Sequence, residues 1–129
     1  MRTVCIVDDD DAVRDSMRIL IESYGLPVRD YPSASAYLND MPSGGGGVLL
    51  LDLHMPGMNG LELLEVLRRR RMNTPAIIIT GRADPSLAER IERARVLALL
   101  HKPVGDEDLV ALIQRAFSGE QNAPQQIAP

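Results

Sequence analysis

The sequence predicts an α/β domain built on a doubly wound, five-stranded parallel sheet, and three observations carry that prediction. Five short apolar runs, at 3–7, 27–31, 48–51, 75–79 and 96–100, alternate with five stretches of helical periodicity. Apart from the second, these runs are nearly continuous in aliphatic residues, as strands covered on both faces are. The second opens with Pro27 and alternates apolar with polar, which marks a sheet edge. Right-handed crossovers then leave the strand order 2-1-3-4-5, with the first and third strands side by side where the winding reverses.

The first strand breaks off in Asp8-Asp9-Asp10-Asp11. Val13, Met17, Leu20, Ile21 and Tyr24 recur at the spacing of an amphipathic helix, which Gly25 closes. Beyond the edge strand, Ser33 is a suitable N-cap for a short helix through Leu38. The stretch 42–47 contains four consecutive glycines. A phosphate-cradling loop would need Lys-Ser/Thr or a helix directly after them; a strand follows instead, so the segment reads as a flexible connector.

The third run is the most apolar: Val48 to Leu51 lead directly into Asp52, then into the Pro/Gly-punctuated loop Leu53-His54-Met55-Pro56-Gly57-Met58-Asn59-Gly60. Leu61, Leu63, Leu64, Val66 and Leu67 form a broad helix face that runs into Arg68 to Arg71. Four arginines in a last turn complement the macrodipole, and in an acidic chain they read as a solvated helix end. The fourth run ends at Thr80-Gly81, and Asp84-Pro85 supplies a cap and a first-turn proline for a helix facing inward with Leu87, Ile91 and Ala94. The fifth ends at His101-Lys102-Pro103, before a last helix carrying Leu109, Leu112, Ile113 and Ala116. Residues 1–118 are thus expected to be one domain. Residues 119–129, rich in Gln, Asn, Ala and Pro, read as a disordered tail or truncated linker.

Composition narrows the function. A formal charge of −4 and a pI near 5.1 argue against a nucleic-acid surface and suit a cation site better. The single Cys5, inside an apolar strand, is expected to be an inert buried hydrophobe, and one cysteine permits no intrachain disulfide. No apolar stretch approaches the ~20 residues of a membrane span, and no signal peptide is evident, so a cytoplasmic location is expected.

The predicted topology brings residues from four strands to one edge: Asp8 and Asp9, Asp52, Thr80 and Lys102. Each alone has an ordinary structural reading, as a helix start, a turn residue or an exposed lysine. Together they occupy equivalent positions in separate βα units. Clustered carboxylates repel and raise one another's pKa unless a cation joins them. An oxygen-only set with room for water describes Mg²⁺ rather than Zn²⁺. A carboxylate beside such an ion can act as a nucleophile toward phosphorus, with a lysine and a hydroxyl for the remaining phosphoryl oxygens.

These motifs resemble the receiver domain of two-component response regulators: Val4-Cys5-Ile6-Val7-Asp8-Asp9, the Leu51-to-Gly60 loop, Ile79-Thr80-Gly81 and His101-Lys102-Pro103. The resemblance spans about residues 2–118, and its wording around Asp52 and Thr80 is closest to receivers that precede LuxR-type DNA-binding domains. It implies a flavodoxin-like (βα)5 fold and a phosphoacceptor that is not a turnover enzyme. Asp52 would take phosphate from a sensor histidine kinase. Asp9 and Asp52 would ligate Mg²⁺ directly with the backbone carbonyl of His54, Asp8 would act through metal-bound water, and Thr80 and Lys102 would serve the phosphoryl group. The His54 imidazole is expected to face solvent, and the Lys102–Pro103 peptide to be cis. The partners implied are the kinase, a LuxR-type output domain outside this chain and a second copy in a homodimer, with no membrane and no direct nucleic-acid contact.

Two positions depart from the family pattern. Leu99 stands where an aromatic residue is usual, and Arg95 where a glycine is usual. Phosphate chemistry is thus expected to be intact while its transmission from Thr80 is altered. The alternative is a receiver-like interaction module that works without phosphorylation. A phosphatase or nucleotide-binding enzyme is disfavoured, since there is no Asp-x-Asp at the nucleophile and no Gly-x-Gly-x-x-Gly after the first strand.

Overall fold

The computed structural model describes residues 3–41 and 47–118, and the glycine-rich connector and the tail fall largely outside them. Five parallel strands, β1 (Val4–Val7), β2 (Val28–Tyr31), β3 (Val48–Asp52), β4 (Ala76–Thr80) and β5 (Ala98–His101), are ordered β2-β1-β3-β4-β5 as expected. The helices are α1 (Asp11–Ser23), α2 (Ala34–Asp40), α3 (Gly60–Arg69), α4 (Ala88–Arg93) and α5 (Asp106–Phe117).

Because successive strand residues face opposite sides, the continuous apolar strands serve two cores. Val4, Ile6, Val48, Leu50, Ile77 and Ile79 pack with Ile21 of α1 and Leu109, Leu112 and Ile113 of α5. Cys5, Val7, Leu49, Leu51, Ala76 and Ile78 pack on the other side with Tyr37 of α2, Leu61, Leu64 and Leu67 of α3, and Ile91 of α4. Cys5 is free and buried.

Local chemistry sets the helix ends. Asp10 caps α1 by accepting from the Val13 amide, and Gly25 follows the helix at φ +82°. Ser33 caps α2 through the Ala36 amide. Asn59 and Glu62 form a reciprocal capping box at the start of α3.

Three local features differ from expectation. The segment after Asp84-Pro85 begins as a single 3-10 turn, Pro85–Leu87, and α4 proper is only six residues long. The last strand extends to His101. Alternation turns Ala98 and Leu100 to the α1/α5 core and leaves Leu99 37 % exposed on the other face of an edge strand. Arg68 is not a solvated end residue: its Nε donates to the Ala94 carbonyl and its Nη1 to the Met72 carbonyl, each at 2.8 Å. Arg69, Arg70 and Arg71 are exposed as expected.

Candidate functional site

The parallel register carries the predicted residues to one edge. Val7 pairs with Leu51, Asp52 with Ile79 and Thr80 with His101, so Asp8, Asp52, Thr80 and Lys102 all emerge at the carboxyl ends of neighbouring strands. The Asp8 amide donates to the Tyr31 carbonyl, and its carboxylate Oδ1 accepts from the Asp10 amide at 2.9 Å. Asp8 and Asp52 are almost fully buried, at 2 % and 7 % exposure, whereas Asp9 is open to solvent. One carboxylate oxygen from each of the three lies within 4.8 Å of the others.

Lys102 Nζ stands 3.8 Å from both Asp8 Oδ2 and Asp52 Oδ1. Its own amide donates to the Thr80 carbonyl at 2.8 Å, and its peptide to Pro103 is cis, as expected. One ammonium shared by two buried carboxylates does not neutralise them. Burial, followed by repulsion from Asp8, raises the Asp52 carboxyl to about 6, against the lowering effects of Lys102 and the His54 amide. Burial likewise raises Asp8, against the Asp10 amide and Lys102. A second cation among these oxygens would relieve that penalty. The donor set is all oxygen and partly open, which fits Mg²⁺.

Thr80 reaches the same edge and is 1 % exposed, but its hydroxyl is turned onto the next loop. It donates to the Arg82 carbonyl at 2.8 Å and accepts from the Arg82 amide at 3.1 Å. The His54 amide approaches Asp52 Oδ1 at 3.4 Å. Its imidazole is not the solvent-facing group expected: Nε2 is buried, without a hydrogen-bond partner among the described residues.

Two supporting residues escaped sequence reading. Gly60 packs so closely on the end of β3 that a Cβ there would overlap the Asp52 carbonyl oxygen and lie 3.1 Å from both Asp52 C and Leu51 Cβ. Arg14 Nη1 donates to the Asp8 carbonyl at 2.8 Å. The available signals were the glycine closing the punctuated loop and the arginine one turn into α1.

The sequence profile of the response regulator receiver domain family matches residues 4–114. The chain belongs to that family. Its relatives include the transcriptional regulatory protein FixJ of Rhizobium meliloti, 39% identical over 114 residues that make up 88% of this chain and 56% of FixJ. The response regulator protein TmoT of Ectopseudomonas mendocina is 36% identical over 126 residues, 95% of this chain and 57% of TmoT. The receiver therefore spans a little over half the length of these relatives. Among solved structures, FixJ-N superposes with a TM-score of 0.81 at 38% identity, covering 90% of this chain and 93% of that one. The response regulator StyR superposes with a TM-score of 0.84 at 34% identity, covering 90% and 59%. Receiver domains of this family bind Mg²⁺ at an acidic cluster, and Asp8, Asp9 and Asp52 form such a cluster here.

Proposed function

We propose that this receiver takes a phosphoryl group from a sensor histidine kinase onto Asp52 and, so modified, switches a partner or a LuxR-type output domain outside this chain. The observation that carries the reading is a buried carboxylate at the end of β3 flanked by a lysine ammonium and two further carboxylates. Mg²⁺ would be held by Asp9, Asp52 and the His54 backbone carbonyl, with Asp8 acting through metal-bound water, and would supply charge neutralisation at the phosphoryl oxygens.

In the transfer, an Asp52 oxygen attacks phosphorus while the bond from phosphorus to the phosphohistidine nitrogen breaks, the electron pair leaving with the imidazole. Asp52 must be ionised to attack, and with its carboxyl at about 6 it is so at neutral pH. Lys102, already 3.8 Å from the nucleophile, moves onto a phosphoryl oxygen. Thr80 can donate to another once its hydroxyl leaves Arg82. The acyl phosphate ends by hydrolysis, so the protein is an acceptor rather than a turnover enzyme.

No helix among the described residues is long and apolar enough to cross a membrane, which accords with a cytoplasmic place for the protein. A homodimer is a natural form of the switched state, and no direct nucleic-acid contact is assigned to this domain. The test is incubation with a small phosphodonor and Mg²⁺ followed by intact mass. Wild type should gain one phosphate and Asp52→Ala none; no gain on wild type, or undiminished gain on the variant, refutes the reading. The exposed Leu99 at the usual aromatic position favours one second reading, a phosphate-independent interaction module. That module would show no carboxylate-dependent Mg²⁺ binding.

A further inference from the structure

Arg14 makes contacts that the transfer chemistry does not use. Its side chain, 13% exposed, leans from α1 onto the acidic loop. Nη1 donates to the Asp8 carbonyl at 2.8 Å and Nη2 to Asp11 Oδ1 at 2.6 Å. Nε lies 3.9 Å from Asp30 Oδ1 and is buried without a hydrogen-bond partner among the described residues. The Asp11 side chain is 84% exposed, so that pair is screened and weak. A partly buried guanidinium with an unsatisfied, buried Nε–H is a costly way to fill space. The contact that distinguishes this arginine is therefore the one to Asp8.

That carbonyl belongs to the peptide joining Asp8 to Asp9, just past the end of β1. Its plane sets the directions of the Cα–Cβ bonds on both sides, one leading to each carboxylate. Asp8 has a second anchor in the Asp10 amide. The exposed Asp9 carboxylate makes no hydrogen bond or ion pair among the described residues, so its aim depends on the backbone alone. We infer that Arg14 is a positioning residue for the cation site: by fixing the Asp8–Asp9 peptide it keeps both carboxylates within reach of Asp52 and raises divalent-cation affinity. This rests on the Mg²⁺ site proposed above.

The sign of the effect separates positioning from charge. Arg14 is itself a cation near the site, so through Coulomb repulsion alone its removal would tighten Mg²⁺ binding. If it positions the peptide, removal weakens binding. The full chain holds no Trp, so Mg²⁺ is titrated by calorimetry or by amide chemical shifts, without phosphodonor. Arg14→Met, which keeps the stem and loses the donors, is expected to weaken Mg²⁺ at least fivefold. Arg14→Lys, which keeps the charge and one donor group but lacks the fork, should lose about twofold. Asp11→Asn should stay within twofold of wild type. In metal-free protein, exchange of the Asp10 amide should speed in Arg14→Met, because the carboxylate it donates to is no longer held. Unchanged or tighter Mg²⁺ binding by Arg14→Met overturns the inference. Should that variant lose cooperative urea unfolding, Arg14→Lys decides: a loss of twofold or more supports the inference, and wild-type affinity overturns it. Absence of Asp52-dependent Mg²⁺ binding in wild type would instead overturn the underlying site.

Discussion

Replacing Asp52 by Asn should stabilise the metal-free fold at neutral pH, and the structure sets how much. The carboxyl is raised from its ordinary 3.8 to about 6, first by burial and then by Asp8. A carboxyl raised in the fold opposes folding when ionised. The penalty is absent well below the unfolded value, grows between about pH 4 and pH 6, and is complete above the folded value. Each pH unit of that rise costs about 1.4 kcal/mol, which makes the full penalty about 3 kcal/mol. Asn keeps the shape and an acceptor oxygen for the His54 amide, and it leaves Lys102 beside Asp8. Urea denaturation in chelator should therefore find Asp52→Asn more stable than wild type by about 2–3 kcal/mol near neutral pH, a large fraction of a typical domain's stability. Near pH 4 the difference should fall below about 1 kcal/mol. Adding Mg²⁺ should narrow the neutral-pH gap by stabilising wild type, since an ion that binds the fold adds to its stability. A variant no more stable than wild type at neutral pH, or a gap that acid leaves unchanged, would refute the assignment of Asp52 as a charge held at the fold's expense.

Gly60→Ala places a methyl against the Asp52 backbone, which cannot yield without moving the nucleophile. A loss of about 1–3 kcal/mol in urea denaturation, with slowed phosphorylation, is expected from such overpacking, and wild-type values for both would contradict it. Arg95→Gly should stabilise by about 0.5–1 kcal/mol, because relief of a left-handed residue exceeds glycine's added chain entropy. Arg95→Ala, which keeps φ near +58° with a Cβ, should gain nothing, both variants being read by urea denaturation.

The sheet and the ends of its strands were legible because periodicity is a local property. Val48 to Leu51 read as a strand covered on both sides and Pro27 marked a sheet edge, so strand order and the convergence on Asp52 followed. Arg95 was also legible in part: a side chain at a glycine position announces a strained turn, and it stands at φ +58°. What local pattern could not reveal was contact between distant turns. Arg68 looks like its three neighbours in sequence, yet helical rotation points it at the carbonyls of Ala94 and Met72 while they face water. Gly60 reads as punctuation until β3 is seen pressed against it. The His54 ring looked free to face solvent because nothing in a one-dimensional loop says which side of it is covered.

The same contrast bears on how a phosphoryl group at Asp52 would be felt elsewhere. Thr80 already spends its donor and one acceptor site on the Arg82 backbone, two neutral bonds each worth about 1 kcal/mol net. A bond to a phosphoryl oxygen is charge-assisted and worth about 1.5–3 kcal/mol, so exchanging one set for the other is close to balanced. A balanced exchange can be tipped by small changes in the segment that carries Arg82. Here that segment leads into a 3-10 turn and a six-residue helix, closed by a residue in the left-handed region. Leu99, on the adjoining edge strand, has no ring to swing into space that Thr80 vacates. Were Thr80 to make that exchange, the backbone between β4 and α4 that now holds its hydroxyl through Arg82 would be the segment released.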